Sequence, residues 1–357
     1  MSAATATTVI LPTIDLEPFL RDPTSEAALA ECRKAGEALR AYSAFAVRDP
    51  RVSEAENAAF LDTIEDYFAQ DTETKLKDIR PDVHYQVGAT PENTEEPRCG
   101  RDDNCLKLVE SMAPENRPLD FTKPDKKWRF FWRMGERPTE TNFPDLNADP
   151  VIPAAIPDWS DKMNHWGNRM LDAVTVVSEV AAVGLGLERD TFSKRSRFGP
   201  HLLAPTGSDL EKYGEIGSVL AGFHTDLNFL TIHGKSRFPG LHIWTPSGQK
   251  LLVKIPDGSL LVQAGKQFEW LTGGHIQAGY HEVVVVPQTL DAIKRQREAG
   301  RPLWRISSTM FFHIASDQIL EPLPPFRTEE AVKKYPAMPT GQQVQLELGF
   351  ISLAKKD

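Results

Sequence analysis

Residues 221–233 read A-G-F-H-T-D-L-N-F-L-T-I-H, an apolar run that carries a histidine and an aspartate two positions apart. If the stretch is a strand, His224 and Asp226 project from one face and Thr225 from the other, because side chains alternate across the pleat. Phe223, Leu227, Phe229 and Leu230 surround the pair, so that face is expected to look into a partly enclosed interior. A carboxylate placed there without a cation or hydrogen-bond donors costs on the order of several kcal/mol. Taken alone, the pair fits a hydrogen-bonded His–Asp at a strand end. His281 changes that balance: it stands in Q-A-G-Y-H-E-V-V-V-V, at the head of a second β-branched run. Two imidazoles and one carboxylate from different strands make a facial triad that holds Fe(II) and leaves positions open for oxygen chemistry. A closed four-ligand zinc site would serve structure instead.

From residue 200 onward the chain breaks into short β segments separated by turn signals such as T-P-S-G, P-D-G and T-G-G. H-L-L-A-P, G-L-H-I-W, K-L-L-V-K-I, S-L-L-V-Q-A, F-E-W-L-T and W-R-I-S-S-T-M-F-F-H join the opening run and the His281 run. About eight such strands point to a jelly roll or barrel. In the last segment Arg305 and Ser307 alternate onto one face, so a guanidinium and a hydroxyl converge on one carboxylate.

Upstream the pattern is helical. Ser25 can cap a helix in which Ala28, Leu29, Cys32, Ala35 and Leu39 recur at helical spacing, and Ser53 can cap another that spaces Phe60, Ile64 and Phe68 by four. A long apolar helix is expected from about residue 158 to 187, packed against a sheet. Residues 80–157 are dense in proline, glycine and charge and read as irregular structure pinned by Trp128, Phe130, Phe131 and Trp132. The fold class is therefore α+β. An N-terminal α/β and irregular region spans 1–157 and a backing helix 158–199. The β core spans 200–320 and a C-terminal extension 321–357.

The 357 residues are 40% hydrophobic, enough for a sizeable core, and the net charge of −9 argues against a nucleic-acid partner. The small polar N-terminal tail has no basic n-region or apolar core, and no apolar run is long enough for a membrane span. A cytoplasmic protein with no membrane partner is expected. Cys32, Cys99 and Cys105 match neither a CxxC pair nor a disulfide framework and read as free thiols.

The order H-T-D, L-T-G-G, a lone histidine leading a β-branched strand, then R-x-S followed by F-F resembles the iron(II)- and 2-oxoglutarate-dependent dioxygenases of the isopenicillin N synthase-like superfamily. L-P-T-I-D-L and A-Y-S-A-F-A-V-R-D resemble that family's early strands, and the 158–187 helix its long helix behind a double-stranded β-helix. The resemblance implies His224, Asp226 and His281 as metal ligands, with Arg305 and Ser307 clamping the distal carboxylate of 2-oxoglutarate. It also implies Fe(II) as cofactor, 2-oxoglutarate and O2 as co-substrates, ascorbate as a supporting reductant, and a small-molecule substrate. Asn228, Phe229, Trp244, Phe312 and His84 are the pocket candidates.

Three departures stand out. The connection between His281 and Arg305 carries an inserted helix near 288–300. Ala204 stands where the family carries an aromatic residue before proline, leaving His201 as a candidate to replace the missing donor. Glu282 follows the last ligand where the family has a basic residue. Two rival readings remain: an iron oxidase of the same fold that binds its substrate's own carboxylate at Arg305 and Ser307, and a jelly-roll binding protein without catalysis.

Overall fold

The computed structural model describes residues 7–351 and 353; the polar tail at 1–6, residue 352 and residues 354–357 lie outside it. Two sheets face each other across a cavity. The smaller has five strands in the order Thr7–Val9, Lys250–Val253, Leu241–Trp244, His281–Val284, Val219–His224. The larger has ten, running Trp304–Ser307, Thr206–Asp209, Trp128–Met134, His201–Leu203, Thr309–Phe312, Leu230–His233, Leu260–Ala264, Ala44–Arg48, Thr13–Asp15, with Gly88–Thr90 paired onto Trp128–Met134. This is the jelly-roll arrangement expected, extended by N-terminal strands that enter the same sheets.

The larger sheet sorts its residues by parity. Trp128, Phe130, Trp132, Met134, Leu203, Leu230, Ile232, Val262, Met310 and Phe312 point away from the cavity into the main core, where helix Trp159–Gly184 covers them with Trp159, Trp166, Met170, Val174 and Val177. Arg129, Phe131, Leu202, His233, Thr309 and Phe311 point the other way and line the cavity. Full burial of the apolar face of each large side chain contributes roughly 1.5–3 kcal/mol, which fixes the strand register because a one-residue slip would exchange the faces.

Helix Glu26–Tyr42 is capped by Ser25, and helix Glu54–Phe68 by Ser53 with a reciprocal bond from Glu56, as the sequence predicts. The first of these lies against Trp159–Gly184 at a crossing where two glycines meet. A Cβ on Gly36 would fall 2.4 Å from the Gly184 carbonyl oxygen, and one on Gly184 would fall 2.1 Å from that of Cys32.

Several expectations are corrected. F-E-W-L-T is not a strand but part of helix Lys266–Leu271, which starts at Gly265. Residues 221–233 are not one strand: Val219–His224 ends at the histidine, the chain turns through Asp226, and Leu230–His233 opens in the other sheet. Residues 80–157 contain a seven-residue strand, Trp128–Met134, central in the larger sheet and buried throughout. Helix Pro287–Glu298 occupies the insertion, with Ala292, Ile293 and Leu290 packed on Leu210, Leu220, Phe238 and Leu303.

The cysteine reading is also overturned. Cys99 and Cys105 form a disulfide, and only Cys32 is a free, buried thiol. The turn Arg98–Gly100 runs directly into helix Asp103–Ser111 and brings the two Cα atoms to 5.1 Å, a proximity that the sequence spacing did not announce. Among the described residues no helix is long and apolar enough to cross a membrane.

Candidate metal centre and cavity

His224 is the last residue of its strand and His281 the first of the neighbouring one, and they face each other in register. Their rings stand 4.2 Å apart, centroid to centroid. Asp226, two residues past the strand end, places Oδ1 3.7 Å from His224 Nε2 and 3.8 Å from His281 Nε2. One donor atom from each of the three lies within 4.8 Å of the others. The turn after His224, and not strand alternation, brings the carboxylate under both rings.

Each ring is set by its other nitrogen. A carbonyl can only accept, so His224 Nδ1–H donates to Gly222 O at 2.6 Å and His281 Nδ1–H to Gly279 O at 3.2 Å. Both Nε2 lone pairs then face Asp226. Burial, with His281 beside it, pushes the His224 imidazole down to about 3, so the ring is neutral at physiological pH. Burial works to raise the Asp226 carboxyl, but the two imidazoles and the Thr231 hydroxyl, which donates to Oδ2 at 2.6 Å, hold it below its ordinary range. Two imidazoles that present Nε2 and a carboxylate are the donor set of a 2-His-1-carboxylate iron site, and the residues fit such an ion.

A cavity of about 580 Å³ opens beside the trio. Arg305 and Ser307 project into it from strand Trp304–Ser307, next to Thr206 and Thr309. Arg305 is 7% exposed, forms no ion pair among the described residues and leaves Nε without a partner. Burial alone depresses it to about 10, so it stays cationic and lacks an anion. A buried guanidinium of this kind is a fit for a ligand carboxylate. His233, beside it, is fixed by Thr309 Oγ1 at 3.1 Å and Gln263 Oε1 at 3.0 Å.

The remaining candidates divide. Asn228 is at the cavity edge, but its amide is spent on the Leu230 and Phe312 carbonyls. Phe229, Trp244, Phe312 and His84 are not in the lining. Phe229 packs on Phe192 and Phe268. Trp244 donates to the Asn116 carbonyl, and Phe312 stacks on His201. His84 faces Asp145. Phe311 and His313 take their place in the lining. Strand parity running from Arg305 through Ser307 and Thr309 would have found both.

Ala204 is fully buried against Phe131 and Phe311, and His201 sits on the core side, accepting the His313 N–H, so neither supplies a donor to the cavity. Thr206 and Arg129 stand on that wall, in register with Ser307. Glu282, which stands where the family has a basic residue, is 0% exposed and forms a buried ion pair with Lys250 at 2.5 Å.

A further part of the lining was invisible in the sequence. Glu95, Asp125, Lys127 and Arg129 line the cavity as two acids and two bases. Lys127 pairs with Asp125 and, at 3.1 Å, with Glu95; Glu95 also pairs with Arg129, whose guanidinium lies 3.7 Å over the Phe131 ring. Helix Thr340–Phe350 adds Glu347 and Leu348 to the lining, with the following Ile351. Glu347 is held there by Arg98 and by Lys266 at 2.9 Å.

Two histidines and an aspartate gathered in one cavity of a jelly roll, with an arginine that has no ion pair among the described residues, match the donor arrangement of mononuclear non-haem iron proteins. Residues 199–314 match the model of the 2OG-Fe(II) oxygenase superfamily. It is 25% identical over 199 residues to Kihadalactone A synthase LFS of Citrus sinensis, a match spanning 53% of this chain and 54% of the relative. It is 25% identical over 285 residues to the 2-oxoglutarate-dependent dioxygenase phqC of Penicillium fellutanum, covering 77% of this chain and 74% of that one. The chain thus spans about half the length of the Citrus relative. A 2OG-Fe(II) oxygenase family protein of Caulobacter crescentus has the same fold, with TM-score 0.71, 23% identity and coverage of 97% of this chain and 100% of that one. Neurospora crassa T7H in complex with alpha-KG and thymine superposes with TM-score 0.70 at 19% identity, covering 98% and 99%.

Proposed function

We propose that the protein is an Fe(II)- and 2-oxoglutarate-dependent oxygenase that hydroxylates a small organic metabolite, with succinate and CO2 as co-products. The observation that carries this reading is the pairing of His224, Asp226 and His281 with the unpartnered buried Arg305 in one cavity. Relatives named as synthases and as a 2-oxoglutarate-dependent dioxygenase support it, as do same-fold proteins held with alpha-KG and thymine.

His224, Asp226 and His281 would hold the iron, which supplies the oxygen chemistry when bound. The chain's own residues do the rest. Arg305 takes the distal carboxylate of 2-oxoglutarate, and Ser307 adds a hydroxyl donor beside it. Phe131, Leu202, Phe311 and Leu227 give the substrate side an apolar floor, while Glu95, Lys127 and Arg129 give it a polar wall. Helix Thr340–Phe350 lines the cavity and limits water.

Incubation with Fe(II), O2 and 2-oxoglutarate is expected to release succinate, faster with a cognate substrate, and not at all in His224→Ala. An iron-dependent oxidation that proceeds without consuming 2-oxoglutarate would replace this reading by the oxidase alternative. Failure to bind any divalent metal at neutral pH would remove both.

A further inference from the structure

The strand that ends at His224 is irregular just before the histidine. Its pairing with strand His281–Val284 jumps from His281↔His224 to Val283↔Ala221, leaving Gly222 and Phe223 opposite Glu282 alone. Such a bulge takes backbone groups out of the ladder, and a buried N–H left unpaired is costly. The Gly222 N–H is met by a side chain from far away in the sequence: Asp125 Oδ1 accepts it at 2.8 Å. The Gly222 carbonyl, on the other side of the same residue, accepts His224 Nδ1–H at 2.6 Å.

Asp125 is itself clamped. It pairs with Lys127; its own N–H donates to the Glu95 carbonyl at 2.9 Å, and its carbonyl accepts from Asn93 at 2.8 Å. The position it holds favours glycine, because a Cβ on Gly222 would lie 2.4 Å from Pro97 Cγ. His281 is fastened differently. Its carbonyl partner belongs to Gly279, whose N–H is bound by the Ala264 backbone, with no side chain involved. One ligand is oriented by the main chain alone and the other by a carboxylate.

We propose that Asp125 is a positioning residue for His224, acting through the bulged Gly222 to aim the imidazole Nε2 at the metal. The inference rests on the iron-site reading above and adds a residue to it from outside the jelly-roll strands. Groups that orient a metal-binding histidine typically carry about 10–100-fold in metal affinity.

Co(II) is the probe, because its visible ligand-field absorption reports both affinity and coordination geometry. In anaerobic titrations Asp125→Ala is expected to bind Co(II) at least about tenfold more weakly than wild type, with an altered absorption envelope. Asp125→Asn keeps an acceptor oxygen for the Gly222 N–H and is expected to restore affinity to within about threefold.

Loss of the carboxylate also leaves Lys127 with Glu95 as its one acidic partner among the described residues, so a second comparison removes that charge. Asp125→Leu/Lys127→Met replaces the pair by apolar groups, a change that buried ion pairs often tolerate, while Asp125→Asn/Lys127→Met restores only the acceptor. The Leu double variant should bind Co(II) about tenfold more weakly than the Asn double variant. This pair decides if Asp125→Ala does not fold. Equal affinity and equal spectra in the folded variants overturn the proposal while leaving the iron site intact. Absence of Co(II) binding by the wild type overturns both readings.

Discussion

One group of cavity residues is His224, Asp226, His281, Arg305 and Ser307, from short strands and their ends within 219–307 in both sheets. A second group, the charged wall, is Glu95, Asp125, Lys127 and Arg129, delivered by a proline-rich segment and the start of strand Trp128–Met134. The first group has a donor set and an uncompensated cation, which need a metal and an anion to be complete. The second is internally neutral, each acid paired with a base. The difference separates two kinds of buried charge. Unpaired charges mark where ligands enter, whereas paired ones shape the wall that meets them.

That contrast can be broken experimentally, starting with the ligand side. His224→Ala removes a donor and leaves Asp226 and His281 unable to hold iron. Succinate formation should fall by at least about 1000-fold, equivalent to ~4 kcal/mol of barrier, with the unfolding midpoint of the metal-free protein little changed. Residual turnover above about a tenth of wild type would move the chemistry elsewhere.

The wall should respond in the opposite sense. Lys127→Met leaves Asp125 buried beside an apolar group, and the expected cost is about 3 kcal/mol of stability, read by urea denaturation. The 2-oxoglutarate dissociation constant should change by less than about twofold, since Arg305 is untouched. A stable Lys127→Met protein with lost 2-oxoglutarate binding would reverse the roles of the two groups.

Arg305→Gln tests the uncompensated cation. Removing a charge-assisted contact to a carboxylate should weaken 2-oxoglutarate binding by about 2 kcal/mol, roughly 30-fold, without a matching loss of metal affinity. Because the guanidinium has no acidic partner among the described residues, the variant is expected to be at least as stable as wild type in the absence of ligand. Destabilisation by several kcal/mol would show that Arg305 has a structural partner.

The ligand side was legible in the sequence because its signals are local. H-T-D, a lone histidine before V-V-V-V and R-x-S each occupy a few residues, and turn signals separate the strands that carry them. What failed locally was geometry around irregularities. His224 and Asp226 were expected to share a strand face, but the chain turns between them; F-E-W-L-T had strand composition but follows Gly265 into a helix. Phe312 was chosen for the pocket when Phe311 is the residue in phase with Arg305 and Ser307. The wall was not legible because no local pattern encodes it. Arg129 reaches the cavity through register with Thr206 and then Ser307, and Asp125 through a bulge in a strand nearly a hundred residues away. The Cys99–Cys105 bridge belongs to this segment too, set by the turn after Arg98.

A last comparison concerns histidines that bind nothing. His242 is buried in the smaller sheet, outside the cavity, with Nδ1 unpartnered, and burial together with nearby Lys250 pushes it down to about 4. In the unfolded chain it titrates near the ordinary value of about 6.5. Below that pH the unfolded state takes up a proton that the folded state refuses, so stability is fully present above about pH 6.5 and declines as the pH falls toward 4. The slope is about 1.4 kcal/mol per pH unit for one such residue. His242→Phe removes this contribution, while the Glu282–Lys250 pair beside it is common to both proteins. Between pH 7 and pH 5 the variant should lose about 2 kcal/mol less stability than wild type in urea titrations. Equal losses would mean that His242 is protonated in the folded protein at pH 5.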